Sequence, residues 1–95
     1  MASEAGDRWA AWLRNGQWQG LVPTQRRKAA ARHRRIRDRV LSGARVREGH
    51  RVLDVGAGTG LLALEAMRRV GDRGQVIALD VSIDALHGCR DEAIP

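Results

Sequence analysis

Ten residues, Arg51-Val52-Leu53-Asp54-Val55-Gly56-Ala57-Gly58-Thr59-Gly60, constrain the fold more than any other stretch of this chain. A short apolar run is followed by three glycines at alternate positions and then by Leu61-Leu62-Ala63-Leu64-Glu65-Ala66-Met67, a helical pattern. The order predicts a strand, a tight turn and a helix. Glycines let the backbone turn sharply and approach a ligand with no Cβ in the way. The helix that follows starts with its unpaired N–H groups at that turn. This is the layout of a nucleotide-type binding site.

The spacing narrows the ligand. A dinucleotide turn has the order G-x-G-x-x-G, and Leu61 stands where its third glycine would fall. A P-loop requires Gly-Lys-Ser/Thr, and no lysine is near. What stands here is D-V-G-A-G-T-G, with an acid, Asp54, at the strand end. A second apolar run, Gln75-Val76-Ile77-Ala78-Leu79-Asp80, predicts the next strand and ends in a second acid twenty positions after Gly60. A carboxylate at that strand tip suits a ribose diol. A bare β–turn–α unit requires neither acid.

Over about residues 50–92 this pattern resembles the class I S-adenosylmethionine-dependent methyltransferases, on the glycine motif and the acid of the second strand. The resemblance implies S-adenosyl-L-methionine as cofactor. Gly56, Ala57, Gly58 and Gly60 would form the turn, Asp54 would face the methionine end with its ammonium and sulfonium, Asp80 would hold the ribose, and Val81 would border the adenine. It also implies an α/β, Rossmann-like class I methyltransferase fold. Here that fold is incomplete: N-terminal helices, then strand–helix–strand–helix with the strands parallel. The later strands, whose loops hold the acceptor in such enzymes, have no counterpart before Pro95, so no catalytic residue is named.

Charge is uneven along the chain. Residues 24–51 carry eleven basic and two acidic side chains, a net of +9, whereas residues 52–95 carry four and seven, a net of −3. Arginine outnumbers lysine sixteen to one, and with the abundant alanine and glycine this has the look of a GC-rich coding bias. A single cysteine, Cys89, leaves no internal disulfide and suits a reducing compartment. No long apolar span or signal pattern is present, so the chain reads as soluble and cytoplasmic, without a membrane span.

Three segments follow in order: residues 1–23, a helix and tryptophan-containing stretch; 24–49, a basic amphipathic helix and turn; and 50–95, the front half of the cofactor-binding domain. Met1–Asp7 is polar and expected to fray. A short helix from Asp7 places Trp9, Trp12 and Leu13 on one face and stops at Asn15-Gly16. Trp9, Trp12 and Trp18 are the only aromatic residues of the protein. They either pack the N-terminal helix onto the domain or, as the resemblance implies, help form a lid over the cofactor or acceptor.

Thr24 is expected to N-cap a long helix ending near Ser42 and stopped by Gly43. Ala29, His33, Ile36, Val40 and Ala44 form one apolar stripe on it, with arginine elsewhere. The arginine face reads as solvated in preference to a contact with nucleic acid or lipid, because no aromatics interleave it and the stripe is thin. His33 reads as a packing residue. Ser82 should N-cap the last helix, on which Asp84, His87 and Asp91 read as a solvated face, and no metal site is expected.

Two parallel strands expose both edges and, without cover, one face. The expectation is a truncated piece of a larger unit, or a subunit whose sheet is completed by a second copy or another chain. The leading function is the cofactor-binding part of a methyltransferase acting on a small-molecule acceptor. A non-catalytic cofactor-binding or interaction module is the first alternative. The second is a nucleic-acid methyltransferase fragment that uses the arginine-rich helix as a phosphate-binding arm.

Overall fold

The computed structural model describes residues 4–94. Met1–Ser3 of the expected frayed terminus, and Pro95, lie outside the described residues. Helix α1 spans Glu4–Arg14 and runs into a short 3-10 turn at Gly16–Trp18. The Gln17 side-chain amide donates to the Leu13 carbonyl at 2.6 Å and so satisfies an exposed end of α1. Helix α2 (Pro23–Gly43), strand β1 (Arg51–Val55), helix α3 (Leu61–Val70), strand β2 (Gln75–Leu79) and helix α4 (Ile83–Ala93) complete the order. Both strands and all four helices fall in the stretches the sequence pattern gives them, but α1 begins at Glu4, so Glu4–Asp7 is helical where fraying was expected.

Three local expectations are corrected. Thr24 does not cap α2. The N-cap is Val22, two residues earlier, and the helix opens at Pro23, whose missing N–H costs nothing in the first turn; the Val22 N–H donates to the Gln25 side chain at 3.0 Å. Gly43 does not supply the left-handed stop. Arg45 does, with φ +55: the Val46 N–H reaches the Leu41 carbonyl (3.1 Å) and the Arg45 N–H the Ser42 carbonyl (3.0 Å). The apolar stripe is also rotated. Leu41 is the buried residue of α2, below His33 and the half-buried Arg37, while Ile36 and Val40 stand half-exposed.

An ionic cluster accounts for much of the rotation. Arg69 of α3 bonds Asp38 (3.4 Å) and the Ser42 hydroxyl (3.2 Å) of α2, and Glu65 (3.4 Å) of its own helix. Arg37 bonds Asp38 at 2.9 Å and holds that carboxyl below its ordinary value. Aligning these partners sets the rotation of α2 about its axis, and Ile36 and Val40 turn outward with it.

Strands β1 and β2 pair in parallel, with Leu53 opposite Ile77 and Val55 opposite Leu79. Helix α3 crosses one face, over Val52, Asp54, Val76 and Ala78. The other face is open: Leu53 is 58% exposed, Val55 75%, Ile77 47% and Leu79 49%. The N-terminal helices do not cover it, because α1 packs on α4 and α2 on α3. The buried set is made of small side chains, Ala10, Ala57, Ala63, Ala66, Ala85 and Cys89, with Leu41 and Val70. Alanines let helices approach closely but remove little apolar area from water. Among the described residues no helix is long and apolar enough to cross a membrane.

Candidate functional site

At the end of β1 the chain turns through three glycines with positive φ, Gly56 (+75), Gly58 (+58) and Gly60 (+102). The turn is pinned to the tip of β2 from three directions. Gly56 and Ala57 N–H groups both donate to the Leu79 carbonyl at 2.8 Å, and the Gly58 N–H donates to Asp80 Oδ2 at 2.8 Å. The other Asp80 oxygen accepts from the Ser82 N–H at 2.8 Å. Ser82 in turn caps α4 as expected, its hydroxyl accepting from the Ala85 N–H at 3.1 Å. Asp80 therefore welds the glycine turn to the start of α4.

Gly60 is the tightest point. A Cβ built there would lie 2.6 Å from the Cys89 sulfur of α4 and 3.0 Å from Leu64 Cγ. Only glycine combines that closeness with φ +102. Cys89 beneath the turn is a contact that no local pattern signals, since the two residues are twenty-nine positions apart. Leu13 of α1 is another, with its Cδ1 3.2 Å from the Cβ position of Gly58.

Asp54 faces inward under the turn. Burial pushes its carboxyl above the ordinary value, the Ala63 backbone N–H opposes this, and the charge of Asp80 adds to the rise. Its Oδ2 is the buried side-chain oxygen that finds no hydrogen-bond partner among the described residues. The Cys89 thiol is raised by burial first and then by the charges of Asp54 and Glu92. One oxygen of this carboxyl lacks a donor among the described residues, and a carboxylate placed there suits a cationic group.

A cavity of about 660 Å³ opens on the turn. Asp54, Gly56, Ala57, Gly58 and Gly60 form one side, and Trp9, Leu13, Trp18 and His33 form another, with Glu65, Arg68 and Arg37 along α3 and α2. Trp18 leans on His33 with ring centroids 5.5 Å apart, which makes His33 a packing partner on α2 as read from the sequence. Trp9 stacks on Trp12 at 5.2 Å, and both indoles are half-exposed. Ala10, on the same helix, is fully buried. Asp80 and Val81 do not line this cavity; Val81 stands in solvent beyond it.

Asp54 and the glycines are thus brought together with an aromatic wall from α1, the 3-10 turn and α2. The only sequence signal for that wall was the clustering of the tryptophans. No group of three or more potential metal ligands occurs among the described residues.

A family described as "Methyltransferase domain" matches residues 47–94, half of the chain. Among curated proteins, the chain is 40% identical over 62 residues to a probable cobalt-precorrin-6B C(15)-methyltransferase (decarboxylating) from Thermoplasma acidophilum. That match covers 61% of this chain and 31% of the relative. It is also 40% identical over 62 residues to the ubiquinone/menaquinone biosynthesis C-methyltransferase UbiE of Cellvibrio japonicus, covering 65% of this chain and 25% of that protein. For the protein of the same description from Teredinibacter turnerae the figures are 46% over 54 residues, 57% and 21%. The matched segment spans about a fifth to a third of the length of these relatives. No solved structure matches the chain.

Proposed function

Because the chain belongs to the methyltransferase domain family, we propose that it is the S-adenosylmethionine-binding front of a class I methyltransferase that acts on a small-molecule acceptor. The observation that carries this reading is the buried Oδ2 of Asp54, without a hydrogen-bond partner among the described residues, at a left-handed glycine turn. An ammonium would donate to such an oxygen, and a sulfonium nearby would be attracted by its charge. Asp54 would take the methionine end of the cofactor. Gly56, Ala57, Gly58 and Gly60 would admit it closely, Asp80 would keep the turn in place while holding the ribose, and Val81 would border the adenine. When bound, the cofactor supplies an activated methyl group, and the chain's own work is to position it and exclude water.

Trp9, Trp18 and Leu13 across the cavity would border the acceptor. The relatives named above, whose descriptions concern a precorrin and quinones, support a small organic acceptor. The open face of Leu53, Val55, Ile77 and Leu79 supports a further surface that completes the sheet, from the same polypeptide or another.

The test is calorimetric titration of the chain with S-adenosylmethionine, with NAD as control. Saturable binding of the first alone is expected. Asp54→Asn should weaken it by roughly tenfold to a hundredfold, the worth of a charge-assisted contact. Equal affinity in the variant, or binding of NAD instead, would refute the reading.

A further inference from the structure

The rotation of α2 changes what its arginine face offers. Leu41 is the side chain that α2 buries, and Ile36 and Val40 stand 51% and 48% exposed. Lys28, Arg32, Arg35 and Arg39 are exposed too, with no ion pair or side-chain hydrogen bond among the described residues. No acidic residue occurs from Pro23 to Arg37, and Asp38 is held by Arg37 and Arg69.

At about 100° per residue, with Lys28 as zero, Arg35, Arg39 and Arg32 fall at about −20°, 20° and 40°. Ile36, Ala29 and Val40 follow at about 80°, 100° and 120°. Ser42 and Asp38, both bonded to Arg69 of α3, lie on the other side at about −40° and −80°, with Leu41 at about −140°. His33, which meets Trp18, closes the arc at about 140°. The free arc is therefore one face, half cationic and half apolar, running about 16 Å along the axis from Lys28 to Arg39. Leu21, from the turn before the helix, lines a cavity with Lys28, Ala29 and Arg32, which adds an apolar side chain at the N-terminal end of this face. Arg27 and Arg34, at about −100° and −120°, point away from it.

We propose that this face lies on an anionic lipid surface. Two unfavourable features of the free chain are relieved there together. Lys28 and Arg32, and Arg35 and Arg39, are like charges four apart, which oppose the helix until anions neutralise them. Ile36 and Val40 leave water for the acyl boundary, while the longer lysine and arginine stems reach up to the headgroups. A nucleic-acid backbone would take the cations but offers no apolar layer to Ile36 and Val40. A purely apolar partner would leave the cations unmatched. The contact is peripheral, since no helix of the described residues is long and apolar enough to span a bilayer. The inference does not rest on cofactor binding and survives its failure.

The test is co-sedimentation of the whole chain with vesicles of equal parts phosphatidylglycerol and phosphatidylcholine, at about 0.1 M salt, with pure phosphatidylcholine as control. Saturable binding to the anionic vesicles is expected, at least tenfold tighter than to the neutral ones. R32Q/R39Q should weaken it about twenty-five-fold, at roughly fivefold per cation. I36S/V40S, which leaves the charge unchanged, should weaken it about tenfold. R27Q/R34Q removes as much charge as R32Q/R39Q, but from the far side of a helix about 10–12 Å across, roughly one Debye length from the surface. It should lose less than about threefold. Circular dichroism should show the same helix content in every variant. Equal binding to neutral vesicles, full binding by I36S/V40S, or an equal loss in R27Q/R34Q and R32Q/R39Q would overturn the proposal. So would tighter binding to a DNA duplex or to polyglutamate than to the anionic vesicles.

Discussion

Replacing Gly60 by alanine tests the packing beneath the turn directly. The new methyl would sit 2.6 Å from the Cys89 sulfur and 3.0 Å from Leu64 Cγ, on a backbone with φ +102. Two costs add. A non-glycine residue in that region costs about 1–3 kcal/mol, and overpacking costs about 1–3 kcal/mol. Leu64 can rotate away, but Cys89 is fixed between α4 and the turn, so a total near 3–4 kcal/mol is expected. Against a whole stability on the order of 5–10 kcal/mol for a chain of this length, that is a large fraction.

Urea unfolding followed by circular dichroism would measure it, and a double-mutant cycle separates the two costs. Cys89→Ala removes the sulfur and leaves the backbone strain. G60A/C89A should therefore be less destabilised than the sum of the single variants, by about 1–2 kcal/mol. Additivity within about 0.5 kcal/mol, or a G60A variant that loses less than about 1 kcal/mol, would refute the account of Cys89 as the floor of the turn.

Arg45→Gly should raise stability by about 0.5–1 kcal/mol, because glycine adopts φ +55 without the cost an L side chain meets there. In a thermal melt that is an increase of about 3–6 °C, and a decrease would show that Arg45 makes contacts worth more than its strain. Asp54 holds its proton more tightly in the folded chain than in the unfolded one. Its contribution to stability is therefore present at low pH and is lost as pH rises from about 3.9 through the raised folded value. Asp54→Asn should flatten that segment of the stability profile, and a wild-type-like slope in the variant would assign it to another group. Val55→Lys, on the open sheet face, should cost under about 0.5 kcal/mol and reduce self-association in sedimentation; a loss above about 2 kcal/mol would mean the face is covered in solution.

Much of this fold was legible because its signals are local. The glycine turn, the two strands, the order of the four helices and the Ser82 cap each depend on residues within a few positions of one another, and these fell where expected, although α1 begins at Glu4 and not at Asp7. The start and stop of α2 were misread for a physical reason. Pro23 outcompetes Thr24 as a helix opener, and Arg45 accepts a left-handed backbone that the neighbouring Gly43 made easy to assign elsewhere. The rotated stripe failed because periodicity counts apolar residues alone. The Asp38–Arg69–Glu65 cluster, which turns α2, is built from charges on two helices.

By itself, then, the sequence determined the order of elements, the turn, and the acids at the two strand ends, since spacing along the chain dictates them. Only the tertiary structure decided what surrounds the turn. It set Cys89 and Leu13 against the glycines, drew both Asp80 oxygens onto backbone N–H groups, and left Asp54 Oδ2 without a donor among the described residues. It brought Trp9 and Trp18 across the cavity and left one sheet face open. These are contacts between residues far apart in the chain, and they exist only once helices of small side chains pack closely enough to bring them together.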